Sequence, residues 1–363
     1  MKIGFDAKRV FHNSTGLGNY SRTLIKNLQR YYPEHEYFLF TPSVTENSYT
    51  RPFLTGEFQI VTPQNKIPGW RSVFSSRTIE RLDLDIYHGL SHEIPLVKPA
   101  SNTSMVVTIH DLIFLNRASD YNRWDRWSYN YKYKRAAQSC DALVAISNYT
   151  RDQVRHHWDI EEKKIHTIYQ SCNDVFFQPS IAESDRSYFL YVGSVVKRKG
   201  LLYIIEALGS CPGHTRPKLV VVGRGGSYYA ECKERIRALK MENQVDFKEN
   251  VSTEELKRLY DQALALVFPS REEGFGIPVI EAGLRKTPVI TSRYGALQES
   301  AGPYATYIDL EQPDDLKNAL LSHLIHDDKR AILIEKSYIY VESLFNPEAT
   351  ARSLYELYVN LRT

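Results

Sequence analysis

The stretch Pro269–Pro288, with the sequence PSREEGFGIPVIEAGLRKTP, constrains the fold of this chain more than any other. It follows an apolar run, Leu264–Phe268, that has the length of one buried strand. Two glycines then flank Phe275, and Pro278 suits the first turn of a helix, where its missing N–H group costs nothing. Apolar side chains at helical spacing continue until Lys286–Pro288 ends the helix. The stretch therefore predicts a strand, a glycine loop and a helix.

This order of elements predicts a site for a ligand that carries both an anion and hydroxyl groups. In an open α/β sheet, ligands lie outside the carboxyl ends of the strands, and a helix N-terminus there attracts phosphate. Glu273 at the start of the loop and Glu281 one turn into the helix bracket this position. Carboxylates repel phosphate but accept hydrogen bonds from sugar and ribose hydroxyls, so a sugar nucleotide fits. The alternative is a tight turn in which the glycines serve backbone geometry and Glu281 favours the helix dipole.

The two glutamates around GFGIP, after a strand that ends in Pro-Ser, resemble the signature of the family-four retaining glycosyltransferases. The resemblance implies the α/β fold called GT-B, in which two Rossmann-like domains face a cleft and a C-terminal helix crosses back to the first domain. It implies that Glu273 holds the donor sugar and that Glu281 holds the ribose of the donor. It also implies donor contacts for the residues between them, Gly274, Phe275, Gly276 and Ile277.

A second segment resembles the donor half of the same family. Tyr188–Gly193 is predicted to be a strand that ends in glycine, and the sequence SVVKRKG follows from Ser194. Family members carry an arginine and a lysine here that bind the donor diphosphate. The resemblance implies this role for Arg198 and Lys199, with Lys197 as a further candidate and with Gly193 and Ser194 as donor contacts. A guanidinium binds phosphate bidentately and an ammonium adds charge. The alternative is a solvated basic turn.

The base of the donor nucleotide is usually held by backbone groups near Val251, according to the same resemblance. This chain has Asn250 where glycine is common in the family. The departure leaves guanine and uracil both open as the base.

The first half of the chain supplies three further donor contacts in this interpretation. Lys2–Asp6 is predicted to be a strand, followed by a glycine loop with Gly16 and Gly18 and then a helix. In the family this loop lies beside the donor phosphates; by itself it is as consistent with a plain turn. Met105–Ile109 is predicted to be a strand, and His110 of TIHDL follows it. The resemblance places His110 against the donor sugar. The alternative is a histidine that satisfies a nearby backbone carbonyl. In total, the family resemblance implies four catalytic residues: His110, Arg198, Lys199 and Glu273.

The segment Tyr121–Arg135 interleaves five Lys and Arg residues with two Trp and four Tyr. We expect a helix whose aromatic side chains are buried under the domain. Contact with an anionic membrane is the alternative. No nucleic-acid motif accompanies the segment, so nucleic acid is not an expected partner.

Asp83-Leu84-Asp85 is a DxD triplet, which binds metal in the other major glycosyltransferase fold. Here it leads directly into a strand, Ile86–Gly89, as in the family-four pattern. We therefore expect no metal and no cofactor. Four cysteines without CxxC spacing indicate reduced thiols rather than a zinc or disulfide framework.

A length of 363 residues suits two domains. We expect an acceptor-binding domain at 1–175, a nucleotide-sugar domain at 176–345 and a C-terminal helix at 346–363 that packs on the first domain. The polar stretch Ser180–Ser187 is the expected hinge, and Pro42–Pro68 is expected to be loop-rich. Without a signal peptide or a membrane-spanning run, the expected location is cytoplasmic, with peripheral contact to the inner face of the membrane kept open.

The resemblance implies a retaining, metal-independent hexosyltransferase. The TIHDL and REEGFGIP motifs resemble those of bacterial mannosyltransferases, which favours transfer from GDP-mannose to a glycan or lipid-linked glycan in surface polysaccharide synthesis. A UDP-hexose donor is the nearest alternative. An epimerase of similar fold and a non-catalytic sugar-nucleotide-binding protein also remain open.

Overall fold

The computed structural model describes residues 1–63, 69–179, 186–213, 216–325 and 328–363. By its internal contacts the chain divides into two units, Met1–Cys172 with Phe345–Thr363, and Asn173–Leu344. Residues 180–185 of the predicted hinge and residues 64–68 of the predicted loop region lie outside the described residues. All four cysteines are buried, and no disulfide joins any of them. Among the described residues, no helix is long and apolar enough to cross a bilayer.

The first unit is built on a seven-stranded sheet with the strand order β3-β2-β1-β4-β5-β6-β7. Every pairing in it is parallel; Ile3, for example, lies opposite Tyr37 on one side and Ile86 on the other. The strands are β1 (Lys2–Asp6), β2 (Glu36–Phe40), β3 (Gln59–Val61), β4 (Ile86–Gly89), β5 (Ser104–Ile109), β6 (Ala142–Ala145) and β7 (Ile165–Thr167).

Helices surround this sheet, as its apolar, nearly uninterrupted strands require on both faces. They are α1 (Lys8–His12), α2 (Gly16–Tyr31), α3 (Ser75–Leu82), α4 (Ile113–Asn116), α5 (Arg123–Ser139), α6 (Asn148–His157) and, from the end of the chain, α14 (Pro347–Asn360).

The second unit has a six-stranded parallel sheet with the strand order β10-β9-β8-β11-β12-β13. Its strands are β8 (Tyr188–Val192), β9 (Lys218–Val222), β10 (Val245–Lys248), β11 (Ala263–Phe268), β12 (Val289–Ser292) and β13 (Thr306–Ile308). Its helices are α7 (Leu201–Gly209), α8 (Ser227–Ala238), α9 (Thr253–Asp261), α10 (Ile277–Leu284), α11 (Leu297–Ala301), α12 (Pro313–Ser322) and α13 (Asp328–Leu344).

The C-terminal helix α14 packs against α2. Asn346 caps its start by accepting hydrogen bonds from the backbone N–H groups of Glu348 and Ala349. The apolar positions of α14 are buried, and Tyr358 among them is fully buried. This amphipathic pattern explains why the last residues of the chain belong to the first unit.

Two expectations about local structure are wrong. Gly16 and Gly18 lie in the first turn of α2 and not in a loop before it. The region expected to be loop-rich is irregular over most of its described residues, and its three-residue strand β3 extends the sheet beyond β2. The second wrong expectation concerns α5: its two tryptophans are not buried under the domain, since Trp124 and Trp127 are 79% and 67% exposed, although Tyr133 packs against the core. The core-facing positions of α5 are instead occupied by Ala136 and Ala137.

Candidate active site

The predicted donor residues of the second unit lie where the strand order of its sheet reverses. Strands β8 and β11 are neighbours, and the chain extends from them toward opposite edges of the sheet. The segment Gly193–Lys199 follows β8, and Pro269–Gly276 follows β11. Because ligands of open α/β sheets bind at such a reversal, outside the carboxyl ends of the strands, both segments occupy the expected position.

Glu273 is the centre of a cluster of three donors at this position. Its Oε1 atom lies 2.9 Å from Nη1 of Arg198 and 3.1 Å from Nζ of Lys199. The hydroxyl of Ser270 donates to the same oxygen at 2.8 Å. The side chains of the two cations and of Glu273 are between 11% and 17% exposed. The structure therefore brings together three of the four predicted catalytic residues.

All three donors of this cluster contact one carboxylate oxygen. No described residue donates a hydrogen bond to the other oxygen, Oε2 of Glu273, and that atom is not fully buried. A carboxylate oxygen accepts more than one hydrogen bond. Glu273 is thus anchored through Oε1, and Oε2 is available as a hydrogen-bond acceptor.

The charge state of Glu273 follows from two opposing effects. Burial disfavours the carboxylate, but the charges of Lys199 and Arg198 and the hydroxyl of Ser270 outweigh it. The pKa of Glu273 is therefore lower than usual, and the group is ionised at neutral pH. The cluster of two cations and one carboxylate carries a net positive charge, which suits a diphosphate.

Gly193 leaves room for the side chain of Lys199. It has φ +143°, and a Cβ atom there would lie 3.3 Å from both Cδ and Nζ of Lys199. The ammonium also lies 4.9 Å from the ring centroid of Phe268, at the end of β11. A residue other than glycine would have to displace the lysine or adopt a strained backbone.

The loop between β11 and α10 is held tightly. Gly276 has φ +111° and precedes α10, which begins at Ile277 with Pro278 as its second residue. Phe275 is buried. The backbone of Glu273 packs against Gly295, and its carbonyl accepts from the N–H group of Ala296 at 2.9 Å. These contacts fix the position from which Glu273 reaches the cations.

Glu281 is buried on α10 and accepts a hydrogen bond from the hydroxyl of Tyr260 at 2.8 Å. Burial raises its pKa to about 8, and the bond from Tyr260 offsets this only in part. In the absence of ligand, Glu281 is therefore largely protonated at pH 7.

Two further predicted donor contacts of this unit are Ser194, which is close in the chain to the cluster, and Val251, which is not. Ser194 follows Gly193, and its carbonyl accepts from the hydroxyl of Tyr191 at 3.0 Å. Val251 lies in the turn between β10 and α9 and has no described contact with the Glu273 cluster.

In the first unit, His110 follows β5 and is buried. Its Nε2 atom lies 2.8 Å from the carbonyl oxygen of Leu90. A carbonyl only accepts, so Nε2 carries the proton. Burial, together with neighbouring His92, lowers the pKa of His110 well below its ordinary value, so the ring is neutral and Nδ1 is an acceptor. No described residue donates to Nδ1, and that atom is not fully buried. His110 therefore satisfies the backbone carbonyl of Leu90 through Nε2 and also has an acceptor atom, Nδ1, available. The two interpretations of His110 do not exclude each other.

A buried chain of hydrogen bonds lies behind His110. Tyr358 of α14 and Nδ1 of His88 are 2.6 Å apart, and Nε2 of His88 is 2.8 Å from Oγ1 of Thr108. Thr108 is in turn 3.0 Å from the hydroxyl of Tyr20, whose ring makes an edge contact with His110 at 4.6 Å. The chain links the C-terminal helix to the residue that follows β5.

Gly16 and Gly18 are placed by Asn13 at the start of α2. The Asn13 side chain accepts hydrogen bonds from the N–H groups of Thr15 and Gly18, at 2.9 and 3.1 Å. A Cβ atom on Gly18 would lie only 1.9 Å from the Asn13 carbonyl oxygen, whereas Gly16 faces open space. The close approach of the Asn13 carbonyl oxygen explains why residue 18 is a glycine, and no ligand is needed for this explanation.

Polar atoms without partners gather at the carboxyl ends of β1 and β4, where the first sheet reverses its strand order. Nε of Arg9, Oγ of Ser91 and Nδ1 of His92 are buried, and no described residue bonds to them. The rings of His92 and His110 are 5.2 Å apart. Buried polar groups in proteins are almost always bonded, so these atoms indicate a place for ligand or water.

The DxD triplet has a structural role in this chain. Asp83 ends α3 in the left-handed conformation. Oδ2 of Asp85 accepts from the N–H group of Lys2 at 2.8 Å, and Arg362 lies 3.0 Å from its Oδ1. Within the described ranges, no group of three or more His, Cys, Asp or Glu residues could hold a metal ion.

Four residues at these sites are not among those predicted from the sequence. Ser270 was visible only as part of the Pro-Ser motif, and Tyr260 lies on a different helix from its partner Glu281. Arg9 and His92 gave no local signal, because only the parallel sheet brings the ends of β1, β4 and β5 to one edge.

Known proteins resemble this chain along its whole length. A family model described as Glycosyltransferase Family 4 matches residues 14–173, and one described as Glycosyl transferases group 1 matches residues 182–339. The O-antigen chain mannosyltransferase RfbU of Salmonella typhimurium strain LT2 is 29% identical over 227 residues, which are 62% of this chain and only 60% of that relative. The O-antigen chain mannosyltransferase B of Escherichia coli is 24% identical over 367 residues, 92% of this chain and 93% of the relative.

Among solved structures, that of Anabaena HepE in complex with UDP-glucose superposes with a TM-score of 0.79 at 15% identity, covering 99% of this chain and 100% of HepE. At this identity the likeness concerns the fold alone, and it agrees with two parallel α/β sheets of seven and six strands. The two family matches cover both units. The chain therefore belongs to the family-four glycosyltransferases of glycosyl transferases group 1 and has the GT-B fold.

Proposed function

We propose that the protein is a retaining, metal-independent glycosyltransferase of the cytoplasm. It moves mannose from GDP-mannose to a glycan or lipid-linked glycan acceptor in bacterial surface polysaccharide synthesis. The observation that carries this proposal is the cluster of Arg198, Lys199 and Ser270 on one oxygen of Glu273. It offers cations for a diphosphate and a free carboxylate oxygen for a sugar at the ligand-binding edge of the sheet.

In the proposed reaction the acceptor hydroxyl attacks the anomeric carbon of the donor, and the bond from that carbon to the β-phosphate oxygen breaks. The acceptor proton passes to an oxygen of the departing β-phosphate, so no protein base is required. Negative charge grows on the diphosphate as the bond breaks. Arg198 and Lys199 lie ready to stabilise that charge in a largely water-excluded position, where such contacts are most effective.

Each unit offers one acceptor atom in this proposal. In the second unit, Oε2 of Glu273 takes a hydroxyl of the donor hexose. In the first unit, Nδ1 of the neutral His110 is available to accept from a sugar hydroxyl. Glu281 takes the ribose hydroxyls, and Gly16, Gly18, Gly193, Ser194, Val251 and the loop residues 274–277 complete the donor contacts. Arg9 and His92, whose Nε and Nδ1 atoms have no described partner, belong to the acceptor side.

The names of the relatives favour mannose as the transferred sugar, since both aligned proteins described above are O-antigen chain mannosyltransferases. The second candidate is a UDP-hexose donor, because HepE, which has the same fold, was solved with UDP-glucose. A panel of GDP, UDP and ADP with their sugar conjugates, followed by thermal unfolding, distinguishes these donors. A ligand at a hundred times its dissociation constant adds roughly 2.7 kcal/mol of stability, and we expect that shift for GDP and GDP-mannose. A shift with UDP and UDP-glucose only favours the second candidate, and no shift with any nucleotide contradicts the proposal.

Metal independence is tested separately. The DxD residues are engaged in structural contacts, and Arg198 and Lys199 supply the positive charge that a metal would otherwise bring to the diphosphate. We expect sugar transfer to survive EDTA. Loss of transfer in EDTA and recovery with manganese or magnesium would contradict this part of the proposal. Conversion of the donor without any acceptor would indicate an epimerase instead.

A further inference from the structure

The helix α5 presents its largest side chains to solvent. Trp124, Trp127 and Tyr131 are 79%, 67% and 54% exposed, and their spacing of three and four residues places them on one face. The rings of Trp127 and Tyr131 stack with a centroid distance of 6.0 Å. The opposite face of the helix carries Ala136 and Ala137, which are buried. Packing within the first unit therefore does not account for this aromatic stripe.

Cations border the stripe. Arg123, Lys132 and Arg135 are exposed on the same helix, and Asp125 is its one acidic residue. With Arg126 and Lys134, the helix carries five positive charges against one negative charge. In a soluble protein such a helix would normally turn its charges outward and its aromatic residues inward. Here both kinds of side chain share the outer surface.

A second group of exposed apolar residues adjoins the C-terminal end of this helix. Nη2 of Arg135 donates to the carbonyl of Leu96 at 3.2 Å, and the N–H group of Leu96 donates to Ser72 at 2.7 Å. Next to these residues, Val97 and Phe74 are 53% and 42% exposed. We name the aromatic stripe, its cations and the Leu96–Val97 loop the α5 surface.

We propose that the α5 surface binds the anionic face of a lipid bilayer and holds the protein there peripherally. Trp and Tyr have an apolar body and a polar edge, and they concentrate where hydrocarbon meets headgroups. Lys and Arg near them are attracted by anionic lipids. The charge of the helix therefore selects an anionic partner, and its rings match the depth of an interface. A neutral glycan would be held by carboxylate and amide side chains beside the rings. The exposed ones next to Trp124 are Asp125 and Asn122, and the Asn122 side chain already caps the helix by accepting from the N–H group of Trp124.

Vesicle flotation of the full chain tests the proposal without any donor or acceptor, so its outcome is independent of the enzymatic activity. Vesicles of phosphatidylcholine are compared with vesicles that also contain phosphatidylglycerol. We expect binding to the anionic vesicles that weakens as salt is added. Each cation near an anionic membrane contributes about fivefold in affinity, so the double variant Arg123→Gln and Lys132→Gln should bind about 30-fold more weakly.

Matched controls separate the surface from general charge and hydrophobicity. Lys163→Gln with Lys336→Gln removes two exposed cations elsewhere, and Ile332→Ala with Ile339→Ala removes two exposed apolar side chains of α13. Both controls should bind vesicles like the wild type. Trp124→Ala with Trp127→Ala should lose binding.

Tryptophan fluorescence gives a second readout, because Trp70 and Trp158, the other two tryptophans of the chain, are buried. Anionic vesicles should shift the emission to shorter wavelength, and Trp124→Phe with Trp127→Phe should abolish the shift while retaining most of the binding. Equal partition to both kinds of vesicle or to neither, or equal weakening by the control variants, overturns the proposal. A shift caused by soluble mannan but not by anionic vesicles also overturns it and identifies a carbohydrate surface.

Discussion

Substitution of Glu273 by glutamine should separate diphosphate binding from sugar transfer. The glutamine oxygen can still accept from Ser270, and the side chain keeps its size. It no longer neutralises Arg198 and Lys199, which lie 2.9 and 3.1 Å from Oε1 in the wild type. The two cations are then available to the diphosphate without competition. The contact with the donor sugar, which Oε2 makes in the wild type, is then made by a neutral amide instead of a carboxylate.

The sizes of the two effects follow from this geometry. Loss of one electrostatic contact that strengthens in the transition state lowers kcat by about 10²-fold. Binding of the bare nucleotide diphosphate should be unchanged or up to about tenfold tighter. The diphosphate no longer has to replace a charge-assisted contact between the Glu273 carboxylate and one of the cations. Loss of the carboxylate from a mostly buried ion pair should also lower the free energy of unfolding by about 3 kcal/mol. The nucleotide diphosphate should restore part of this stability.

Calorimetry with the sugar-free nucleotide diphosphate, beside steady-state kinetics with the sugar conjugate, measures both effects. Glu311→Gln is the control, because Glu311 forms an exposed ion pair with Arg271 at 2.7 Å and lies outside the Glu273 cluster. It should change neither quantity. If Glu273→Gln is folded but no longer binds the nucleotide diphosphate, then Glu273 serves the diphosphate site and the assignment of its role to the sugar is wrong.

Three further predictions concern buried groups. The pKa of Glu281 in the folded protein is about 8, above its ordinary value. The contribution of Glu281 to the free energy of unfolding is therefore complete below about pH 4.5, where the carboxyl is neutral in the folded and the unfolded protein, and it is lost as the pH rises to 8. Glu281→Gln should abolish this loss, on the order of 5 kcal/mol, in denaturant unfolding measured across that range; parallel curves for both proteins would contradict it. Tyr358→Phe leaves Nδ1 of His88 without its partner and should cost about 1–3 kcal/mol of unfolding free energy, whereas the exposed Tyr131→Phe should cost nothing measurable. Arg9→Gln should raise the KM for the acceptor about tenfold or more and leave calorimetric binding of the nucleotide diphosphate unchanged; the reverse pattern would move Arg9 to the donor side.

The donor half of the fold could be predicted from sequence because its signals are local. An apolar run, glycines at a turn and a proline at a helix start lie within twenty residues of one another between Leu264 and Leu284, and β11 and α10 form there as expected. Ser147 is a local signal of the same kind, since it caps α6 by accepting from the N–H group of Thr150. Residue type alone determines such features.

Contacts between distant segments could not be predicted in this way. The start of α2 at Gly16 depends on the side chain of Asn13, and the hydrogen bond of Tyr260 to Glu281 joins two helices. The orientation of α5 was missed because its composition fits either a buried or an exposed aromatic face. Only the position of Ala136 against the sheet decides between the two.

The anomeric configuration of the product tests the central claim most directly. The protein is incubated with GDP-α-mannose and an acceptor glycan, and the new linkage is examined by NMR through the one-bond carbon–proton coupling at the anomeric carbon. We expect a mannosyl product in the α configuration, formed by the wild type and reduced about 10²-fold in Glu273→Gln. A β-linked product, or transfer that is unaffected by Glu273→Gln, would contradict it.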